Sequence, residues 1–128
     1  MIQITPHMRI LLAVEPADFR CGIDGLVSLC RQRLGVEPLD GALVVFRNRR
    51  GTSVKLITFD SQGFWLCQKR LSEGRFRWWP KRAGDKVAPL DVVELQLLLW
   101  NGNPSAAGAA PAWRRVPESS PRRSDRSS

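Results

Sequence analysis

The residues with the clearest capacity for chemistry in this chain are cations. Positions 47–82 hold ten Lys and Arg against only Asp60 and Glu73, a net charge of +8 within one segment. The segments 1–46, 83–102 and 103–128 carry −1, −2 and +3, so the formal +8 of the whole chain is concentrated rather than spread. A basic block of this kind is the electrostatic footprint expected toward a partner made of phosphates. Arg47, Arg49 and Arg50 fall at a turn, Lys55 on the strand after it, and Lys69, Arg70, Arg75 and Arg77 on the strands predicted next. Interleaved with them are Phe64, Trp65, Phe76, Trp78 and Trp79. Guanidinium groups fork onto phosphate oxygens, and aromatic planes stack on exposed bases. These eight cations form the candidate nucleic-acid-binding set. Two other readings of the pattern stay open. Aromatics on one face of a strand of period two can simply build the core while the cations solvate the other face, and an acidic protein surface would suit the same cations.

Catalysis finds less support. Metal-dependent strand transfer needs clustered carboxylates that hold divalent ions, and the candidates are Asp18, Asp24 and Asp60. Each has a plainer role, Asp24 as a helix cap and the other two as turn residues. There is no GxxxxGK[ST] phosphate loop, no GxSxG elbow and no base placed to activate a Cys or Ser nucleophile. The expectation is a protein that is not an enzyme and has no cofactor. Cys21, Cys30 and Cys67 are widely spaced and His7 is the single histidine, which does not make a zinc-ligand pattern. The cysteines are read as small buried hydrophobes in a reducing compartment.

The elements that must carry the basic block follow from pattern. The chain has 128 residues, 43% hydrophobic and 25% charged, enough for one domain with a core. No apolar run is long enough to span a membrane, and the start Met1-Ile2-Gln3-Ile4-Thr5-Pro6 lacks the features of a signal peptide, so a cytoplasmic location is expected. Met8 to Val14 reads as a buried strand. Leu26, Leu29, Cys30 and Leu34 have helical spacing, with Asp24 as N-cap, Arg31 and Arg33 in the last turn and Gly35 as the stop. Ala42–Phe46 and Val54–Phe59 read as strands joined by the basic turn 47–52, and Asp60-Ser61-Gln62-Gly63 as the next turn. Phe64–Leu71 is compatible with strand or helix and is taken as strand, because Ser72-Glu73-Gly74 then turns the chain into Arg75–Trp79, which alternates with period two. After a polar loop, Pro89 and Asp91 open a helix, with Asp91 and Glu94 placed as a capping box and Val92, Val93, Leu95, Leu98 and Leu99 on its apolar side. The predicted fold is α+β: one small domain over 1–102, a mostly antiparallel sheet of about five strands packed on one face by two helices. Residues 103–128, rich in Ser, Pro and Arg, are expected to be a disordered basic tail.

The chain also resembles a known family. Asp18-Phe19-Arg20-Cys21-Gly22-Ile23-Asp24-Gly25-Leu26 resembles the D-x-R-x-G-x-D-G-L signature of the TnpB accessory proteins encoded by bacterial insertion sequences of the sixty-six group. Gly41 to Arg50 is similar to the second block of that family, and Val54-Lys55-Leu56 through Phe59-Asp60 and Gly63 to the third. Lys69-Arg70-Leu71-Ser72-Glu73-Gly74-Arg75-Phe76 with Trp79-Pro80 resembles its K-R-L-x-x-G-R-F-x-W-P block, and the helix around Leu95–Leu99 followed by Gly102 resembles the domain's end. The resemblance implies an accessory role in transposition beside a separate transposase as partner, with no catalytic residues to carry over; DNA is the partner expected from the basic block. Gly51-Thr52-Ser53 stands where the family usually has an Arg-Asp-Arg step. If that loop touches DNA, weaker binding than in its relatives is expected.

Overall fold

The computed structural model describes residues 8–80 and 84–101. The tail at 103–128 that was expected to be disordered lies outside the described residues. Five strands, β1 (Ile10–Ala13), β2 (Leu43–Arg47), β3 (Ser53–Phe59), β4 (Phe64–Arg70) and β5 (Val87–Leu90), form one sheet in the order β4-β3-β2-β1-β5. β1 and β2 run parallel, and every other pairing is antiparallel. The crossover between the parallel pair carries helix α1 (Ile23–Leu29), which runs on through a π-helical turn at Cys30–Leu34. Helix α2 (Val92–Leu99) follows β5. Among the described residues no helix is long and apolar enough to cross a membrane.

The two helices cover opposite faces of the sheet, not one. Alternate residues of the central strands, Leu11, Ala13, Val44, Phe46 and Ile57, pack with Leu26, Val27 and Cys30 on the α1 side. The intervening ones, Ile10, Leu12, Leu43, Val45, Val54 and Leu56, pack with Leu95 and Leu98 of α2. The unbroken apolar runs of β1 and β2 are the cause, since a strand with no polar alternation needs cover on both sides.

Four other expectations change. Gly22, in extended backbone, is the N-cap of α1, and Asp24 lies in the first turn, where its carboxylate still suits the helix dipole. Arg75–Trp79 is not a strand. Its Phe76, Trp78 and Trp79 pack irregularly onto the α2-side core, and Trp79 Nε1–H donates to Ala13 O at 2.9 Å. The fifth strand is β5, which contains Pro89; an edge position tolerates a proline because one side of the strand has no ladder to break. Val93 is 56% exposed, since it sits about 200° round the helix from Leu95. Two further local readings agree with the structure. Gly35 closes the first helical segment in left-handed backbone with Arg31 and Arg33 before it, and Asp91 and Glu94 form the reciprocal capping box of α2.

Candidate nucleic-acid interface

The β2–β3 turn is built by Asn48. Its Oδ1 accepts from the Thr52 and Ser53 N–H groups at 2.9 and 3.1 Å, and its Nδ2 donates to Thr52 Oγ1 at 2.9 Å. Gly51, at φ +73°, supplies the left-handed residue the turn requires. With the backbone held this way, Arg49 and Arg50 at the tip are exposed to solvent.

The loop between β1 and α1 comes up beside this tip. Ala17 N–H donates to Arg47 O at 2.9 Å, and the Lys55 ammonium donates to Phe19 O and Cys21 O at 3.0 and 3.2 Å while lying 4.9 Å from the centre of the Phe19 ring. In that loop Asp18 takes a forked bond from Arg20, with Nη2 at 2.8 Å, and a further bond from the Arg20 N–H at 2.9 Å. The side-chain bond from Arg20 is the main reason the Asp18 carboxyl is held down at about 2, with Arg49 adding a weaker pull. Between loop and tip lies a surface pocket of about 430 Å³ lined by Ala17, Asp18, Phe19, Arg20, Asn48, Arg49 and Arg50. Arg20, Arg49 and Arg50 meet there with Asp18 as the one carboxylate, so the pocket keeps an excess of positive charge.

The eight predicted cations separate into different roles. Lys55 is 7% exposed and Arg47 is half-buried, with Nη2 donating to Val14 O at 3.4 Å and its guanidinium carbon 5.5 Å from the Trp79 ring centre. Arg47 Nε is buried with no hydrogen-bond partner among the described residues. These two cations hold the loop and the sheet together. The Lys69 ammonium donates to Leu99 O at the C-terminal end of α2, a favourable place for a cation. Arg49, Arg50, Arg70, Arg75 and Arg77 are exposed. They gather at one end of the sheet, because Leu71 N–H donates to Thr52 O and Phe76 N–H to Gly51 O, drawing the segment after β4 against the hairpin tip. Asn101 fastens that segment by accepting from Arg77 N–H and donating to Arg75 O.

Arg20 was missed because it lies far from the basic block in sequence, although it is the arginine of the D-x-R stretch. The aromatics do not form a stacking surface among the exposed arginines. Phe64 packs at 5.0 Å from Phe59, Phe76, Trp78 and Trp79 lie on the core, and Trp65 donates its Nε1–H to Asp60 at the far end of β4. Asp60 also accepts from Gln62 and Gly63 N–H; these bonds, the one from Gln62 foremost, hold its carboxyl below the usual range. Asp18 and Asp60 are thus both engaged in local bonds, and among the described residues no three His, Cys, Asp or Glu gather as a metal site.

The cysteines differ from the uniform burial expected of them. Cys30 is buried, and burial pushes its thiol up to about 11. Cys21 is half-buried and sits so close to Gly25 that a Cβ on that glycine would lie 2.8 Å from the Cys21 Cβ, which accounts for glycine there. Cys67 is exposed, because β4 is an edge strand.

No solved structure matches the chain. Two uncharacterised proteins of Sinorhizobium fredii (strain NBRC 101917 / NGR234) are similar to it. The protein y4hO is 38% identical over 99 residues, covering 77% of this chain and 84% of its own length. The protein y4jC is 37% identical over 84 residues, covering 66% of this chain and 72% of its own. The family model described as IS66 Orf2 like protein matches residues 8–106, from the start of the described domain to just past α2. The loop and turn that build the arginine pocket therefore fall inside the matched region, and the chain belongs to the IS66 Orf2-like protein family.

Proposed function

We propose that this protein is a non-catalytic accessory factor of insertion-sequence transposition that binds DNA phosphates at the hairpin end of its sheet. The observation that carries this reading is the convergence of Arg20 with Arg49 and Arg50 on one pocket, beside exposed Arg70, Arg75 and Arg77. Phe76, Trp78 and Trp79, the aromatics that follow the hairpin end, pack on the core, so the contact there is with the phosphate backbone and carries little base preference. The bacterial cytoplasm, where element and transposase meet, is its place of action. The test is a titration of duplex and single-stranded DNA against salt. Affinity falls steeply as salt rises, and Arg49→Ala or Arg50→Ala each lowers the slope of log K against log salt by about 1. Binding that ignores salt, or that survives both substitutions unchanged, sinks the reading; so does metal-dependent cleavage of the DNA, which would make the protein a nuclease.

A second reading, docking on the element's transposase without DNA contact, is favoured by α2. Val93 on the helix and Trp100 at its C-cap, seven residues apart, are 56% and 75% exposed. Co-purification with the transposase from nuclease-treated extract, lost in Trp100→Ser but kept in Arg50→Ala, would select this reading.

A further inference from the structure

β4 is a long edge strand left open. It runs seven residues in unbroken antiparallel register with β3 and, among the described residues, pairs with nothing on its other side. The opposite edge is blunted: β5 has four residues, one of them Pro89. Natural sheets usually shorten, bulge or cover such an edge. Here Phe64 is half-buried and the other six residues are exposed, including Trp65 and Leu66 at 38% and 36%.

The outward-facing groups can be identified. Asp60 N–H donates to Gly63 O at 3.0 Å and Leu71 N–H to Thr52 O at 2.9 Å, which brackets the β3–β4 ladder. Bonded and non-bonded pairs alternate in an antiparallel ladder. Trp65, Cys67 and Lys69 therefore turn their backbone groups toward β3, and Phe64, Leu66, Gln68 and Arg70 turn theirs outward.

We infer that β4 pairs antiparallel with β4 of a second copy of this chain, about a two-fold axis at Cys67. This register matches all four outward residues, Phe64 with Arg70 and Leu66 with Gln68 of the second copy; shifting it by two residues either way loses partners. It sets Lys69 opposite Trp65 and Arg70 opposite Phe64, so cation meets aromatic ring and no cation meets a cation. The alternation of side chains keeps each pair on one face of the joined sheet. The antiparallel arrangement also sends the two arginine-rich hairpin ends in opposite directions, about 20 Å or more apart for strands of this length. That exceeds the screening length of about 8 Å at physiological salt, so the two basic ends do not oppose the pairing. Cys67 and its copy form a non-bonded pair, with Cα atoms roughly 4.5 Å apart. That lies within the span a disulfide accepts.

The test is sedimentation equilibrium of the full chain under reducing conditions, with and without Gln68→Pro. The proline removes one outward N–H and leaves the bonds to β3 in place. The wild type has twice the mass of one chain, and the variant, with unchanged circular dichroism, dissociates about tenfold or more readily. If the variant does not fold, Leu66→Lys, which sets a cation diagonal to Arg70 of the second copy, gives the same readout. Diamide then tests the axis, oxidising two Cys67 thiols to one disulfide as its N=N bond takes up both hydrogens. A covalent dimer forms quickly in the wild type and not in Cys67→Ser. Added salt leaves the dimer intact or tightens it, the reverse of its effect on DNA binding, so failure here is distinct from failure of the proposed function. A single-chain mass at millimolar concentration overturns the inference, as does a dimer indifferent to the β4 substitutions or one without the Cys67 bridge.

Discussion

β3 and β4 are neighbouring strands of equal length, joined by one turn, and they have opposite characters. In β3 the first six residues are buried, including Ser53, Lys55 and Thr58; in β4 six of the seven are exposed. Position in the sheet makes the difference. β3 lies between β2 and β4 and has core on both faces, whereas β4 is at the edge and extends beyond it. A cation on the inner strand is therefore a structural group with carbonyl oxygens around it. On the outer strand Lys69 reaches back to Leu99 O, and Arg70 is left facing solvent. The basic block, continuous in sequence, is divided by this boundary into cations that hold the fold together and cations that face outward.

The largest effect separates a cross-strand pair. Ile57 and Leu66 are directly opposite each other. Ile57→Ala, at a site with 0% exposure, is expected to lower the unfolding free energy by about 2–5 kcal/mol. Leu66→Ala, under conditions where the chain is monomeric, is expected to cost less than about 1 kcal/mol. Urea denaturation of both variants measures the contrast, and equal losses would mean that β4 is covered in the folded monomer.

The next effect separates two lysines. Lys55→Met leaves Phe19 O and Cys21 O without their donor and is expected to cost about 1–3 kcal/mol while leaving the salt slope of DNA binding unchanged. Lys69→Met is expected to cost about 0.5 kcal/mol or less, since its ammonium is already exposed. A drop in salt slope for Lys55→Met equal to that of Arg50→Ala would place Lys55 at the interface after all.

The smallest effect concerns Asp18. Its carboxyl is held down at about 2 in the folded chain, below its value in an unfolded chain. A depressed carboxylate contributes stability that is present above the unfolded value, near 4, and is lost as pH falls from there toward 2. Arg20 and Asp18 are both solvent-exposed, so the step is small. Thermal midpoints of the wild type and Asp18→Asn between pH 5 and 2 test it: the variant lacks this part of the acid-side decline, and parallel curves would show that the pair is inert.

Much of the fold was legible because its cause is local. The apolar runs at Ile10–Ala13 and Leu43–Phe46, the tight turn around Asn48 and Gly51, and the Asp91–Glu94 capping box are each determined by residues within a few positions of one another. The fifth strand was not legible. Arg75–Trp79 has the alternation of a strand, yet burying three aromatics on the α2-side core outweighs extending the sheet, while Val87–Leu90 becomes a strand only because β1 offers it an edge. Of the candidate site, Arg49 and Arg50 could be read from the turn, and Arg20 could not, since its approach to them depends on bonds from Ala17 and Lys55 that span distant parts of the chain.

Taken alone, the sequence determined where positive charge is concentrated, where most elements begin and end, and to which family the block order belongs, because these depend on residue type and short-range spacing. Only the tertiary structure decided which of those cations meet solvent, which aromatics are core and which edge stays open. Burial is settled by neighbours on both faces of a sheet, and those neighbours come from parts of the chain that no local pattern connects.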